Sequence, residues 1–115
     1  MMVRESTFDE GICVVEAKGR LDAAAASQLE AHVASLLAEG KNKIVVDLGG
    51  VSYISSTSLR VLLVAIKRAQ GGSGDLKLCC LSPRVHDIFR MAGFTTIFPI
   101  HGTEEEAVRG FESRG

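Results

Sequence analysis

Apolar residues recur along this chain with two alternating periods, and that alternation restricts the fold more than any other feature. Ile44-Val45-Val46 is a short β-branched run ending at Asp47, with the length and composition of a buried central strand. Leu59, Leu62, Leu63 and Ile66 then repeat at the spacing of a core-facing helix. Beyond them, Leu76, Leu78 and Cys80 alternate with Lys77 and Cys79 as another strand. A helix set between two such strands is a crossover, the building unit of a layered α/β domain.

The flanking segments extend the pattern. Val3 to Phe8 and Ile12 to Ala17 border the turn Asp9-Glu10-Gly11 and read as a hairpin. Gly19-Arg20-Leu21-Asp22 reads as the break after that hairpin. Asp22 is the expected N-cap of a helix from about Ala23 to Glu39, with Leu29, Val33, Leu36 and Leu37 on one stripe and Gly40 closing it. Leu48 to Ile54, with two glycines, reads as a loop. Gly71-Gly72-Ser73-Gly74 stops the second helix. Ser82-Pro83 opens a short third helix carrying Val85, Ile88, Phe89 and Ala92 and closing at Gly93. Ile97-Phe98-Pro99-Ile100 reads as a brief edge strand, because proline removes a ladder donor. Thr103 caps a last helix through about Phe111, with Glu104, Glu105 and Glu106 at its positive end. The expected order is β-β-α-β-α-β-α-β-α. It gives one α/β domain over residues 1–115, with a mixed sheet of four to five strands and about four helices.

Composition removes several function classes. The chain has 115 residues, 46% hydrophobic and 23% charged, with a net charge of −1 and acids and bases intermixed. That balance builds one core and offers no basic footprint for nucleic acid or anionic membranes. There is no tryptophan and one tyrosine, so stacking platforms for bases are missing. The first residues meet acids at once, without the apolar run of a signal peptide, and the longest apolar stretch, from Leu59 to Ile66, is too short to span a bilayer. A soluble, cytoplasmic protein is expected. The three cysteines, Cys13, Cys79 and Cys80, sit in apolar runs without C-x-x-C or Cys/His spacing. They are expected to be buried thiols; a redox pair at Cys79–Cys80 is the sharper reading. No metal site or cofactor is expected.

The chemistry concentrates in Ser55-Ser56-Thr57-Ser58, four hydroxyl residues directly before the Leu59 helix. One hydroxyl there is a helix cap, stabilising the helix by about 1 kcal/mol. Further copies add nothing to the helix, since serine and threonine are middling helix formers. A helix start also tolerates a phosphate, through its free N–H groups and the positive end of its dipole. Capping and phosphate acceptance are both open on these grounds.

The segment from Asp47 to Leu59 resembles the signature of the STAS domain family, the anti-sigma-factor antagonists, in which a strand ending in Asp leads through a loop to Asp-Ser-Ser/Thr-Gly-Leu and a helix. Gly19-Arg20-Leu21-Asp22 is similar to that family's Gly-x-Leu-Asp. Ser82-Pro83 through Phe98 is similar to its closing helix and strand, so the resemblance covers essentially the whole chain. It implies a non-enzymatic switch. Such proteins bind an anti-sigma factor that is also a serine/threonine kinase of the GHKL ATPase type, release it when phosphorylated, and are reset by a PP2C-type phosphatase. By position the acceptor falls on Thr57, with Ser56 next. Asp22, Ser55, Ser58 and Arg60 fall on the expected partner surface. The chain departs from the family pattern at Ser55, where Asp is usual, at Ser58, where Gly is usual, and at Arg60, where a small residue is common.

Rival readings have sequence tests. A two-component receiver would use Asp47 as acceptor, yet the acidic pair that holds its Mg²⁺ is missing; Asp47 is read instead as an acceptor for loop N–H groups. The histidines His32, His86 and His101 are scattered, two on helices and one in a loop, and no phosphate loop or nucleophile elbow is present, so no enzyme is expected. Within the same family, the alternatives are an accessory subunit of a lipid or anion transporter, or a binding module that is never phosphorylated. A free-standing chain of this length argues against the anion-transporter role.

Overall fold

In the computed structural model, which describes residues 1–112, the elements follow the expected order. They are β1 (Met2–Glu5), β2 (Cys13–Leu21), α1 (Ala23–Ala38), β3 (Lys43–Ile54), α2 (Ser56–Gly71), β4 (Asp75–Cys79), α3 (Pro83–Met91), β5 (Ile100–His101) and α4 (Glu104–Glu112). The sheet runs β1-β2-β3-β4-β5, with β1 antiparallel to β2 and all later pairs parallel. Parallel neighbours joined through helices bury both sheet faces, which is why the central strands are apolar on both parities. Val15, Val46 and Leu78 point to the face covered by α1, α2 and α3, into a core with Leu29, Leu62, Ile66 and Phe89. Val14, Val45 and Cys79 point to the other face, where α4 lays Ala107, Val108 and Phe111 over them.

Three expectations are corrected. β2 does not break at Gly19. It continues to Leu21 through two shifts of register against β3, and Gly19, at φ 75°, takes the left-handed conformation that such an irregularity favours. The segment Leu48 to Ile54 is not a loop but the second half of β3, paired to β2 as far as Leu21↔Ile54. Its glycines are exposed strand positions, so their sequence signal for a turn was outweighed by the backbone partners β2 supplies. The closing edge strand is Ile100–His101 rather than residues 97–100. Ile97 and Phe98 donate to the Phe94 carbonyl in a helical turn that swings Phe98 into the core, edge-on to Phe89 at 5.9 Å.

The caps fall where the side chains allow. Asp22, Ser55 and Ser82 each accept from a backbone N–H three residues on, and Pro83 takes the first position of α3. β1 is clasped to α4 by Arg4, which pairs with Glu16 and Glu104, while Ser6 donates to Glu104. Among the described residues, no helix is long and apolar enough to cross a membrane.

Candidate functional site

Because β2 and β3 run parallel and end in register, the chain leaves both at the same level and starts α1 and α2 side by side. The Ser55 N–H donates to the Leu21 carbonyl at 2.9 Å, tying the two exits together. At the α1 start, Asp22 Oδ1 accepts from the Ala25 N–H at 3.0 Å. At the α2 start, Ser55 Oγ accepts from the Ser58 N–H at 3.2 Å.

The four hydroxyls of this segment divide into two pairs. Ser55 and Ser58 face inward. The Ser55 hydroxyl donates to Ser58 Oγ at 3.2 Å, and the Ser58 hydroxyl donates to the Leu21 carbonyl at 3.0 Å. Ser58 is fully buried, so its side chain holds the strand exit to the helix start and does not reach the surface expected to meet a partner. Its backbone is helical, and its hydroxyl is satisfied by a buried acceptor. Ser56 and Thr57 face outward. Both are exposed, and neither hydroxyl has a hydrogen-bond partner among the described residues. They occupy the first two positions of α2, where the N–H groups have no carbonyl one turn back.

The surroundings of Thr57 form a shallow groove between α1 and α2, with Ala26, Ser27 and Glu30 on one wall and Arg60, Val61 and Val64 on the other. Arg60 lies three residues beyond Thr57 and therefore on the same helix face. Asp22 is exposed beside the same exits, its carbonyl 3.5 Å from Ser58 Oγ. Sequence reasoning missed Arg20 and Tyr53. They are register partners across β2 and β3, and the Arg20 guanidinium stacks 4.4 Å over the Tyr53 ring at the edge of this surface. The signal was strand parity, hidden once one segment was read as a break and the other as a loop.

Other sequence candidates separate from this site. Asp47 is a structural acceptor, as expected: its Oδ1 takes the Gly49 N–H at 2.8 Å. The histidines do not converge, lying on α1, on α3 and, for His101, on β5 rather than in a loop. Burial and the nearby Lys77 ammonium hold the His101 imidazole below its ordinary pKa. Cys13 and Cys79 are buried, whereas Cys80 is only half-buried.

The chain matches the STAS domain family over residues 4–107. It is 38% identical over 104 residues to a Bordetella bronchiseptica protein provisionally named the anti-sigma factor antagonist BtrV, covering 90% of each chain. A crystal structure from Thermotoga maritima, provisionally described as an anti-sigma factor antagonist, superposes with a TM-score of 0.87 at 21% identity, covering 96% of this chain and 93% of that one. The anti-sigma factor antagonist SpoIIAA in its unphosphorylated form superposes with a TM-score of 0.72 at 22% identity, covering 99% and 97%. The two structural likenesses are likenesses of fold; the family match spans nearly the whole chain and includes both strand exits. On that match the chain belongs to the STAS domain family.

Proposed function

We propose that this chain is an anti-sigma-factor antagonist, a binding switch rather than an enzyme. It holds an anti-sigma factor that is also a serine/threonine kinase of the GHKL ATPase type, and it lets go when Thr57 or Ser56 is phosphorylated. A PP2C-type phosphatase returns it to the binding state. The observation that carries this reading is the division of the hydroxyls: two complete the fold, and two project from a helix start with nothing to hold. A cap alone needs Ser55. The outward pair adds nothing to the fold and sits where a dianion is tolerated, beside two unused N–H groups.

The partner surface in this reading is the start of α2, the exit of β2 at Asp22, and the groove that Arg60 borders. A phosphate on Thr57 would place about two negative charges at the mouth of that groove, near Glu30, and alter the surface without unfolding the helix beneath it. The names of the relatives support the antagonist role, and the exposed hydroxyls support its regulation.

The test is complex formation between the purified chain and its anti-sigma partner, followed by size exclusion before and after addition of Mg-ATP. A complex that forms with the unmodified chain and dissolves on phosphorylation supports the proposal. A complex indifferent to ATP overturns the switch and leaves a constitutive binding module. Capture of a permease complex in place of a kinase overturns the antagonist role altogether.

A further inference from the structure

A second cluster of chemically capable side chains lies at the same end of the sheet but on the face covered by α4. The Asp47 carboxylate and the Cys79 and Cys80 thiols bring three donor atoms within 4.8 Å of one another. Two features of the backbone build it. Asp47 and Cys79 are partners in the parallel β3–β4 ladder, so their side chains leave the sheet on one face. A continuing strand would send Cys80 to the opposite face. Instead Cys80 takes φ 70°, with its N–H bonded to the His101 carbonyl at 3.1 Å. That turn brings its sulfur back to 3.2 Å from the Cys79 sulfur. A non-glycine residue in the left-handed region is a strained conformation of the kind that recurs at ligand clamps.

Two of the three donors are reached from one side, while Cys79 is buried beneath α4. Asp47 and Cys80 are half-buried, and Gly49 beside them is exposed. A Cβ at Gly49 would lie 3.1 Å from Asp47 Oδ1 and 3.2 Å from Cys80 Cβ, so glycine keeps this approach open. Asp47 Oδ1 accepts from the Gly49 N–H at 2.8 Å, and the carboxylate also lies within hydrogen-bond reach of the Cys80 thiol.

Two sulfurs and one carboxylate form a soft donor set, suited to ions that prefer thiolate. We infer that Asp47, Cys79 and Cys80 bind one thiophilic divalent cation of the zinc and cadmium class, through two thiolates and one carboxylate oxygen. Binding breaks two S–H bonds, forms two metal–sulfur bonds and releases two protons to solvent; no electron changes hands. Affinity therefore rises with pH, by up to about a hundredfold per unit for two released protons. The site is independent of the proposed switch, since none of its donors lies on α1 or α2.

The experiment is a titration of the reduced full chain with Cd²⁺, followed by its ultraviolet thiolate charge-transfer band and by calorimetry at three pH values, with Zn²⁺ as competitor. One ion per chain is expected, displaced by Zn²⁺ and tightening with pH. Cys80→Ser, at a half-buried position, is expected to keep the native circular dichroism and to weaken binding at least about tenfold. Cys13→Ser, in the core away from the cluster, is expected to change neither. No charge-transfer band, a band retained in Cys80→Ser, a band lost in Cys13→Ser, or a stoichiometry of one ion per two chains would each overturn the assignment.

Discussion

The starts of α1 and α2 are neighbours with the same job and different equipment. Each follows a parallel strand, each is capped by the residue just before it, and the Ser55 N–H to Leu21 carbonyl bond ties the two exits together. The α1 start spends one carboxylate, on Asp22, and continues into alanines that carry no polar group. The α2 start spends two hydroxyls on structure, at Ser55 and Ser58, and displays two more, at Ser56 and Thr57. One helix start is a cap; the other is a cap with two spare hydroxyls. Stability requires only what the first has, so the surplus at the second is where function is to be sought.

Substitutions sharpen that contrast. The largest effect is expected from a carboxylate placed on either side of the division. Ser58→Asp would bury an unpaired charge against the Leu21 carbonyl and is expected to destabilise the fold by about 3–5 kcal/mol in urea denaturation. Thr57→Asp, one residue earlier and exposed, adds an acid to a first turn that has none, and is expected to leave stability unchanged or raise it by about 0.5 kcal/mol while abolishing partner binding. Equal destabilisation by the two would break the division. Next in size are the caps: Asp22→Ala and Ser55→Ala are each expected to cost about 1 kcal/mol.

A third helix start gives a smaller, pH-dependent effect. α4 carries three acids in its first turn, and the Arg4 guanidinium at 2.5 Å holds the Glu104 carboxyl below its ordinary value of 4.5, with help from the Ser6 hydroxyl and against an opposing push from burial. The unfolded chain takes up this proton first as pH falls. The stabilisation is therefore complete above about 4.5 and is lost as pH drops through the depressed folded value. Glu104→Gln is expected to flatten that acid limb in thermal unfolding; an unchanged limb would contradict it. The smallest effects on stability belong to Ser56→Ala and Thr57→Ala, expected within about 0.5 kcal/mol of the parent.

Much of this arrangement was legible in the sequence because it rests on local chemistry. Asp22, Ser55 and Ser82 act as caps through atoms three residues away, and Asp47 accepts an N–H two residues on. What stayed hidden depends on partners distant in sequence. Gly49 and Gly50 look like a turn until β2 is laid beside them. The inward turn of Ser58 depends on a carbonyl 37 residues earlier. Nothing in the spacing of Cys79 and Cys80 announces that Asp47 arrives through strand pairing, or that a left-handed Cys80 folds the two sulfurs together. The family resemblance points to Thr57 or Ser56 as the proposed acceptor; the geometry shows that these are the two of the four hydroxyls left exposed.

Of the four hydroxyls before α2, Ser56 and Thr57 are the two left without a structural bond among the described residues. The decisive measurement is mass-spectrometric mapping of phosphate after incubation of the chain with ATP and the proposed anti-sigma kinase, with Ser56→Ala and Thr57→Ala run alongside. Phosphate is expected on Thr57 or Ser56, lost in the matching variant. Phosphate on Ser55 or Ser58, whose hydroxyls hold the fold together, would contradict it.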